Sequence, residues 1–348
     1  MKKRFHISLA VLFLLFGILD GFAERWDVSK NGTAAMPFLK IGVGARAIGM
    51  GETFAAMAND ATALYWNPAG IARLKKYQFH FSHTDWIADL KHDYLAATVP
   101  LGRGAFGIHL ISLNTDLIEI TTLEEPNGTG LFYDFSDLAL GVSYSFYIID
   151  KFAIGITGKY LREKNYNESA TAFAVDIGTM LHTGFHGLKI GMCFSNFGTD
   201  FRYQGTDLGV PYTATLGDEE GPSNAQDVEA RLKTNDYHLP TNFRVGFAVD
   251  LLGGDNAFLH TPYTRMTLLT DANYPNDGDQ KINLGTEVAL REMIFLRSGY
   301  RLKYSQEIFT FGGGLRLASF VGSINIDYAY ADFGDLSEVH RFSIEIGF

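Results

Sequence analysis

The chain has 348 residues, a net charge of −10 and a single cysteine, Cys193. That acidity argues against a nucleic-acid partner, and one cysteine excludes an internal disulfide framework. Beyond the first residues no apolar run reaches the ~18 residues of a transmembrane helix, so a membrane-spanning form has to be a closed barrel. Aromatics at 14% and 37 glycines suit a soluble sandwich or a barrel equally well.

At the N-terminus, Lys2, Lys3 and Arg4 precede an uncharged apolar run over residues 7–19, with small residues Gly21 and Ala23 behind it. The pattern predicts a secretory signal peptide over residues 1–23. Its removal, with three cations and Asp20, takes the net charge from −10 to −12.

Residues 24–76 do not alternate and are expected to form a compact hatch. Within them GVGARA, residues 42–47, has the glycine spacing of a dinucleotide turn. It lacks the preceding strand and the parallel continuation that motif needs, so flexibility and close packing are the better account. Further on, DATALYWNPAG, residues 60–70, places Asp60 to cap a short helix ending at Trp66. Asn67 then caps a second turn, with Pro68 at its first position, where a missing N–H costs nothing. An apolar, kinked helical element entered from the periplasmic side has one obvious burial place, the lumen of a barrel.

From residue 77 onward period-two alternation recurs. Leu138, Leu140, Val142, Tyr144 and Phe146 alternate with Asp137, Ala139, Gly141, Ser143 and Ser145; Phe152, Ile154 and Ile156 alternate with Ala153, Gly155 and Thr157. In a soluble sandwich the outward face would carry Lys and Glu, whereas here it is small. Large apolar outside and small inside is the pattern of a transmembrane barrel. The segments lie near residues 77–84, 92–99, 104–122, 137–146, 152–162, 171–181, 188–195, 241–250, 258–270, 281–290, 294–303, 308–317, 321–330 and 340–348, fourteen in all, the third long enough for two strands. Odd-numbered connections are mostly long and polar, as over residues 124–128, 197–240 and 273–280, and even-numbered ones mostly short, as over 101–103, 148–151, 291–293 and 318–319. This asymmetry predicts an outer-membrane barrel with both chain ends in the periplasm. The closing VHRFSIEIGF alternates Phe342, Ile344, Ile346 and Phe348, and the terminal Phe348 reads as a signal for the barrel-assembly machinery.

FLKIGVGARAIGMGETFAAMANDATALYWNPAG, followed by SHTDW, FAVDIGTM, SNFG, LPTNFRVG, LRSGY and DYAYADFGDL, resembles the PorV/PorQ family of bacterial outer-membrane proteins along nearly the whole mature chain. That family is similar in architecture to the FadL fatty-acid transporters. The resemblance implies an all-β fold, a 14-stranded antiparallel transmembrane β-barrel over residues 77–348 with an N-terminal helical hatch in its lumen. It implies that Asn67, Pro68 and Ala69, completed by Gly70, are the hatch element and a ligand gate. It implies two alternative functions: accessory or shuttle of type IX protein secretion, with secretion components and cargo C-terminal signal domains as partners, or a FadL-like channel for hydrophobic small molecules. Outer-membrane lipid is the common surrounding.

Catalytic chemistry finds little support. His80, His83 and His92 suggest a metal, but residues three apart on a strand face opposite ways, so His80 points inward and His83 outward. No Gly-x-Ser-x-Gly elbow occurs, and a non-enzyme without cofactor or metal is expected. Asp176 and Glu287 fall on the small face with Lys159, Arg244 and Arg297, which predicts lumenal ion pairs that hydrate a pore and hold the hatch. Cys193 also points inward, beside Gly191. The acidic excursion with Asp218, Glu219, Glu220 and residues 227–229 is expected outside, where it would meet cargo.

Overall fold

A computed structural model describes residues 30–213, 227–304, 308–318, 322–336 and 338–348. The expected signal peptide and the acidic triplet 218–220 lie outside the described residues.

Fourteen strands close into one antiparallel barrel. They are β1 (Gln78–Asp85), β2 (Lys91–Leu101), β3 (Gly104–Asn114), β4 (Phe135–Ile149), β5 (Phe152–Asn165), β6 (Glu168–His182) and β7 (Lys189–Gly198). The circuit continues with β8 (Asn242–Gly253), β9 (Thr264–Pro275), β10 (Lys281–Leu290), β11 (Ile294–Leu302), β12 (Phe309–Ala318), β13 (Ser323–Asp332) and β14 (Glu338–Gly347). Each strand pairs with the next, and β14 closes on β1 through Phe81↔Ile344 and its neighbours. The expected third segment stops at Asn114; Ile118–Glu119 instead pairs with Phe132–Tyr133 in a hairpin off the barrel.

Alternation in the sequence becomes an inside and an outside. On β1 the outward Phe79 and Phe81 are half exposed while His80, Ser82 and Thr84 are buried. Leu140, Val142 and Tyr144 of β4 and Phe342, Ile344 and Ile346 of β14 repeat the outward row. The largest fully buried side chains include Trp66, Phe38, Phe54, Ile48, Met50 and Leu64, all from the segment before β1. The hydrophobic core of this barrel therefore belongs to its plug, and the wall's apolar face is left for lipid.

The two rims differ. One carries the 102–103, 150–151 and 291–293 turns together with Tyr77 and Phe348, which exchange backbone hydrogen bonds of 3.0 and 3.1 Å. The other carries the 115–134 loop and the described parts, 199–213 and 227–241, of the connection from β7 to β8. Asn31–Ile41 lies at this loop rim: Ala35 N–H bonds His238 C=O, and Lys40 Nζ meets Asp277 at 2.5 Å. The plug thus runs through the lumen from the loop rim down to Tyr77 at the turn rim, where the sequence reading had it entering from the periplasmic side.

Candidate functional site: the plug, the wall and the mouth

The plug is a chain of short turns because its sequence offers no long helical stripe. Pro37–Lys40 and Pro68–Arg73 are 3-10 turns, each opened by proline, and Ala45–Ile48 and Ala63–Trp66 are single α-turns. Gly44 and Gly51 turn the chain at φ +77° and +67°, values that an L side chain rarely adopts. Asp60 Oδ1 accepts from Thr62 N–H at 3.0 Å, and Asn67 Oδ1 accepts from Ala69 N–H at 3.2 Å. Trp66 Nε1 donates to Val43 C=O at 3.0 Å, tying the two halves of the plug together.

Glycines on the inner wall admit the plug backbone. A methyl at Gly178 would stand 2.2 Å from Asn67 Oδ1, one at Gly155 2.4 Å from the Pro68 carbonyl carbon, and one at Gly191 2.1 Å from Ala55 O. Across the barrel, Gly285 and Gly299 admit Met50, Gly51 and Thr53 in the same way. Several of these are register neighbours, Gly155↔Gly178, Gly191↔Gly246 and Gly285↔Gly299, so the small residues form paired recesses shaped to the plug.

Polar contacts fasten what the recesses seat. Asp271 of β9 accepts from Phe54 N–H and Ala55 N–H at 3.1 and 3.0 Å, and Ser343 Oγ of β14 accepts from Ala45 N–H at 2.7 Å. Asn67 Nδ2 donates to Ala55 C=O at 2.8 Å and to Thr179 C=O of β6 at 3.0 Å, so this side chain spans plug and wall. Ser145 Oγ donates to Ala69 C=O at 3.1 Å. Gly70 has its place inside the plug, where a methyl would lie 2.1 Å from Ala58 O.

The strongest cluster centres on Glu287 of β10. Three arginines converge on it: Arg46 from the plug (3.0 Å), Arg297 from β11 (2.9 Å) and Arg265 from β9 (2.9 Å). Arg46 also reaches Asp60 at 2.9 Å, and Arg297 reaches Asp327 at 2.6 Å. Burial alone would lower the pKa of Arg46, but the charges of Glu287 and Asp60 outweigh it and hold the guanidinium's pKa above its ordinary value.

Asp176 of β6 pairs with Lys159 of β5 at 2.5 Å and accepts from Asn196 N–H at 2.7 Å. It sits where the β6–β7 register shifts between Val175 and Ile177, with Asn196 at φ +61°. Arg244 lies 4.6 Å over the Trp66 ring, away from both carboxylates. Phe348 stacks on Tyr77 and Phe79 at the turn rim, with ring centroids 5.7 and 5.9 Å apart. His80 and His92 are buried inward; His83 is half exposed and bonded to Asp93. Cys193 is buried on the inner face. Sequence reasoning missed Arg46, Asp271 and the reason for the inner glycines. Arg46 was hidden in GVGARA, read there only for its glycines.

Above the plug a cavity of about 640 Å³ opens at the loop rim, walled by Phe38, Ile41, Trp86, Leu90, Leu113 and Phe333 on its apolar side. A smaller chamber of about 110 Å³ lies beside it and shares Lys40, Glu52, Lys281, Arg301 and Tyr304.

The family described as "Type IX secretion system protein PorV" matches residues 25–219, which takes in the plug, β1 to β7 and much of the long loop. The chain belongs to the PorV family. No curated protein matches it. Among solved structures, PorV-like similarity of fold extends to the toluene transporter TodX of Pseudomonas putida, with 11% identity over 87% of this chain and 96% of that one and a TM-score of 0.55. The monoaromatic hydrocarbon channel CymD is similar at 12% identity over 88% and 98%, with a TM-score of 0.58. At such identities the likeness is one of fold: this PorV-family chain shares the barrel architecture of those two hydrocarbon transporters.

Proposed function

We propose that this PorV-family barrel serves type IX secretion as a sealed carrier whose loop rim meets exported cargo. The observation that carries the reading is the plug keyed into paired glycine recesses inside a ring of unbroken strand pairing. Among the described residues the ladders shift only at Tyr147/Ile149, Val175/Ile177 and Asp250/Leu252. A barrel closed across its lumen and around its wall is suited to carrying something on its rim. The turn rim, with Phe348 available to assembly machinery, then faces the periplasm, and the 115–134 loop and the described parts of the β7–β8 connection face outward. Asn67, Pro68, Ala69 and Gly70 act here as a fastener of the plug to β5 and β6, and Glu287 as its charged counterpart on β10.

Binding of a cargo C-terminal signal domain to the purified barrel, with and without residues 206–234, tests this. The reading expects binding to the full chain and its loss on loop deletion, with the barrel still folded. Equal binding by both forms, or none by either, counts against it.

A second reading, a conduit for hydrophobic molecules, is favoured by one observation: the apolar side of the 640 Å³ mouth cavity, open at the loop rim. It requires an exit through or past the plug. Toluene or fatty-acid uptake that falls when the gene is deleted supports it; unchanged uptake removes it.

A further inference from the structure

The 110 Å³ chamber is lined by five cationic side chains from five elements, Lys40 of the plug, Lys159 of β5, Arg244 of β8, Lys281 of β10 and Arg301 of β11, against one carboxylate, Glu52. Three of these cations have acidic partners: Lys40 with Asp277 at 2.5 Å, Lys159 with Asp176 at 2.5 Å and Arg301 with Glu52 at 3.2 Å. Arg244 and Lys281 are answered differently. Arg244 Nε donates to the neutral Asn273 Oδ1 at 2.7 Å and its guanidinium lies over Trp66. Lys281 Nζ stands 4.1 Å from the centre of the Tyr304 ring, on which Arg301 also lies at 3.9 Å.

Among the described residues neither cation has a carboxylate in direct contact: Asp271 acts on Arg244, and Glu52 and Asp277 act on Lys281, only across space. The close partners of both half-buried cations are therefore a neutral amide and ring faces, which hold a cation less strongly than a contact ion pair does. Both face one small chamber. Asn242 lines the same chamber, and its Oδ1 is buried without a hydrogen-bond partner. About 110 Å³ is the room of a few waters, at roughly 30 Å³ each, or of one tetrahedral oxyanion. Donors arriving from several strands and from the plug suit a tetrahedral group better than a planar carboxylate. The shared lining with the mouth cavity gives access from the loop rim, with Phe38, Trp86 and Phe333 beside the approach.

We propose that this chamber binds a phosphate-sized oxyanion between Arg244 and Lys281, either inorganic phosphate or the phosphate monoester of a larger molecule whose apolar remainder lies in the mouth cavity. The site is independent of the cargo reading and stands or falls without it.

Calorimetric titration of the protein in neutral detergent with inorganic phosphate, dodecyl phosphate, dodecanoate and dodecanol tests it. The expected result is saturable one-to-one binding of a phosphate probe, weakened at least about tenfold in Arg244→Gln/Lys281→Gln, as loss of charged hydrogen bonds requires. Arg244→Lys/Lys281→Arg should restore most of it, and Lys151→Gln, in the 150–151 turn at the opposite rim, should leave it unchanged. Binding of inorganic phosphate identifies the free anion as sufficient; binding of dodecyl phosphate alone identifies the ester. The proposal is overturned if neither phosphate binds, if dodecanol or dodecanoate matches dodecyl phosphate, or if the double glutamine variant binds like the parent. Should the glutamine variant fail to show heat-modifiable migration, the charge-conserving pair decides: its loss of binding in a folded barrel also overturns the site.

Discussion

Arg46 and Glu287, 241 residues apart in the chain, meet inside the barrel through two contacts, Nε to Oε2 at 3.0 Å and Nη2 to Oε1 at 3.2 Å. The pair joins the plug to β10, and the same carboxylate holds Arg265 and Arg297. Removing the two ends of this bond should therefore have unequal results. Glu287→Ala leaves the buried Arg297 and the partly buried Arg46 and Arg265 facing one another with only their second partners, Asp327, Asp60 and Glu292. The loss should therefore fall below the roughly 3–5 kcal/mol of a buried charge left with no partner. A clear fall in the temperature at which the folded barrel converts to the slow-migrating form is expected on gels, and an unchanged transition would deny Glu287 its place as the hub.

Arg46→Ala should act on the plug alone. Glu287 keeps two arginine partners in that variant, so the barrel's heat stability should move little. The plug loses its charged tether, and a cysteine placed at Ala47 should become reactive toward a small thiol reagent from solution. Protection as complete as in the parent would show that the tether is dispensable.

The glycine recesses give a matched comparison. Gly178→Val puts a branched side chain where even a methyl is 2.2 Å from Asn67, whereas Gly158 faces outward with nothing within 4 Å of an added methyl. Overpacking of this kind costs about 1–3 kcal/mol. Limited proteolysis should cut the plug segment in Gly178→Val and spare it in Gly158→Val. If both variants resist equally, the recesses do not seat the plug.

Replacing Asn67 and Pro68 together with alanine removes the Thr179 and Ala55 contacts and the preset turn. Raised conductance in planar bilayers is expected while heat-modifiable migration persists. A conductance equal to the parent's would take the plug-fastening role away from this pair.

Much of this arrangement was legible in the sequence, for a physical reason. A strand between lipid and a small-residue lumen has to alternate, so each barrel strand announced itself, while the register between strands, such as Ile326 opposite Ile344 on β13 and β14, came only from the structure. Strand ends were less legible. Residues 120–122 kept an apolar or β-branched composition although pairing had already left the barrel at Asn114, and the strands read as 152–162 and 171–181 run on to Asn165 and from Glu168, closing the connection to a tight turn at Tyr166, φ +53°. The plug contacts were least legible. Alternation reports which way Gly178, Gly191 or Glu287 points, and says nothing of the segment more than a hundred residues earlier that it meets. The one available signal was excess: an inner face with more glycine than an empty, water-filled lumen requires.

Lipid contact can be tested on the outside in the same spirit. Leu140 of β4 is 44% exposed and lies between Leu110 and Tyr160 on the neighbouring strands. An arginine there, facing hydrocarbon near mid-strand, should cost about 2–4 kcal/mol. The folded fraction recovered in vesicles of a phosphatidylcholine should fall relative to the parent, and equal recovery would place Leu140 away from lipid.

The most direct test of the sealed barrel is the current it passes. Reconstituted in a planar bilayer, the intact chain should show no steady conductance, and the same chain lacking residues 31–74 should show stepwise opening of a water-filled pore. A steady current through the intact chain, equal to that of the deletion form, would contradict the account.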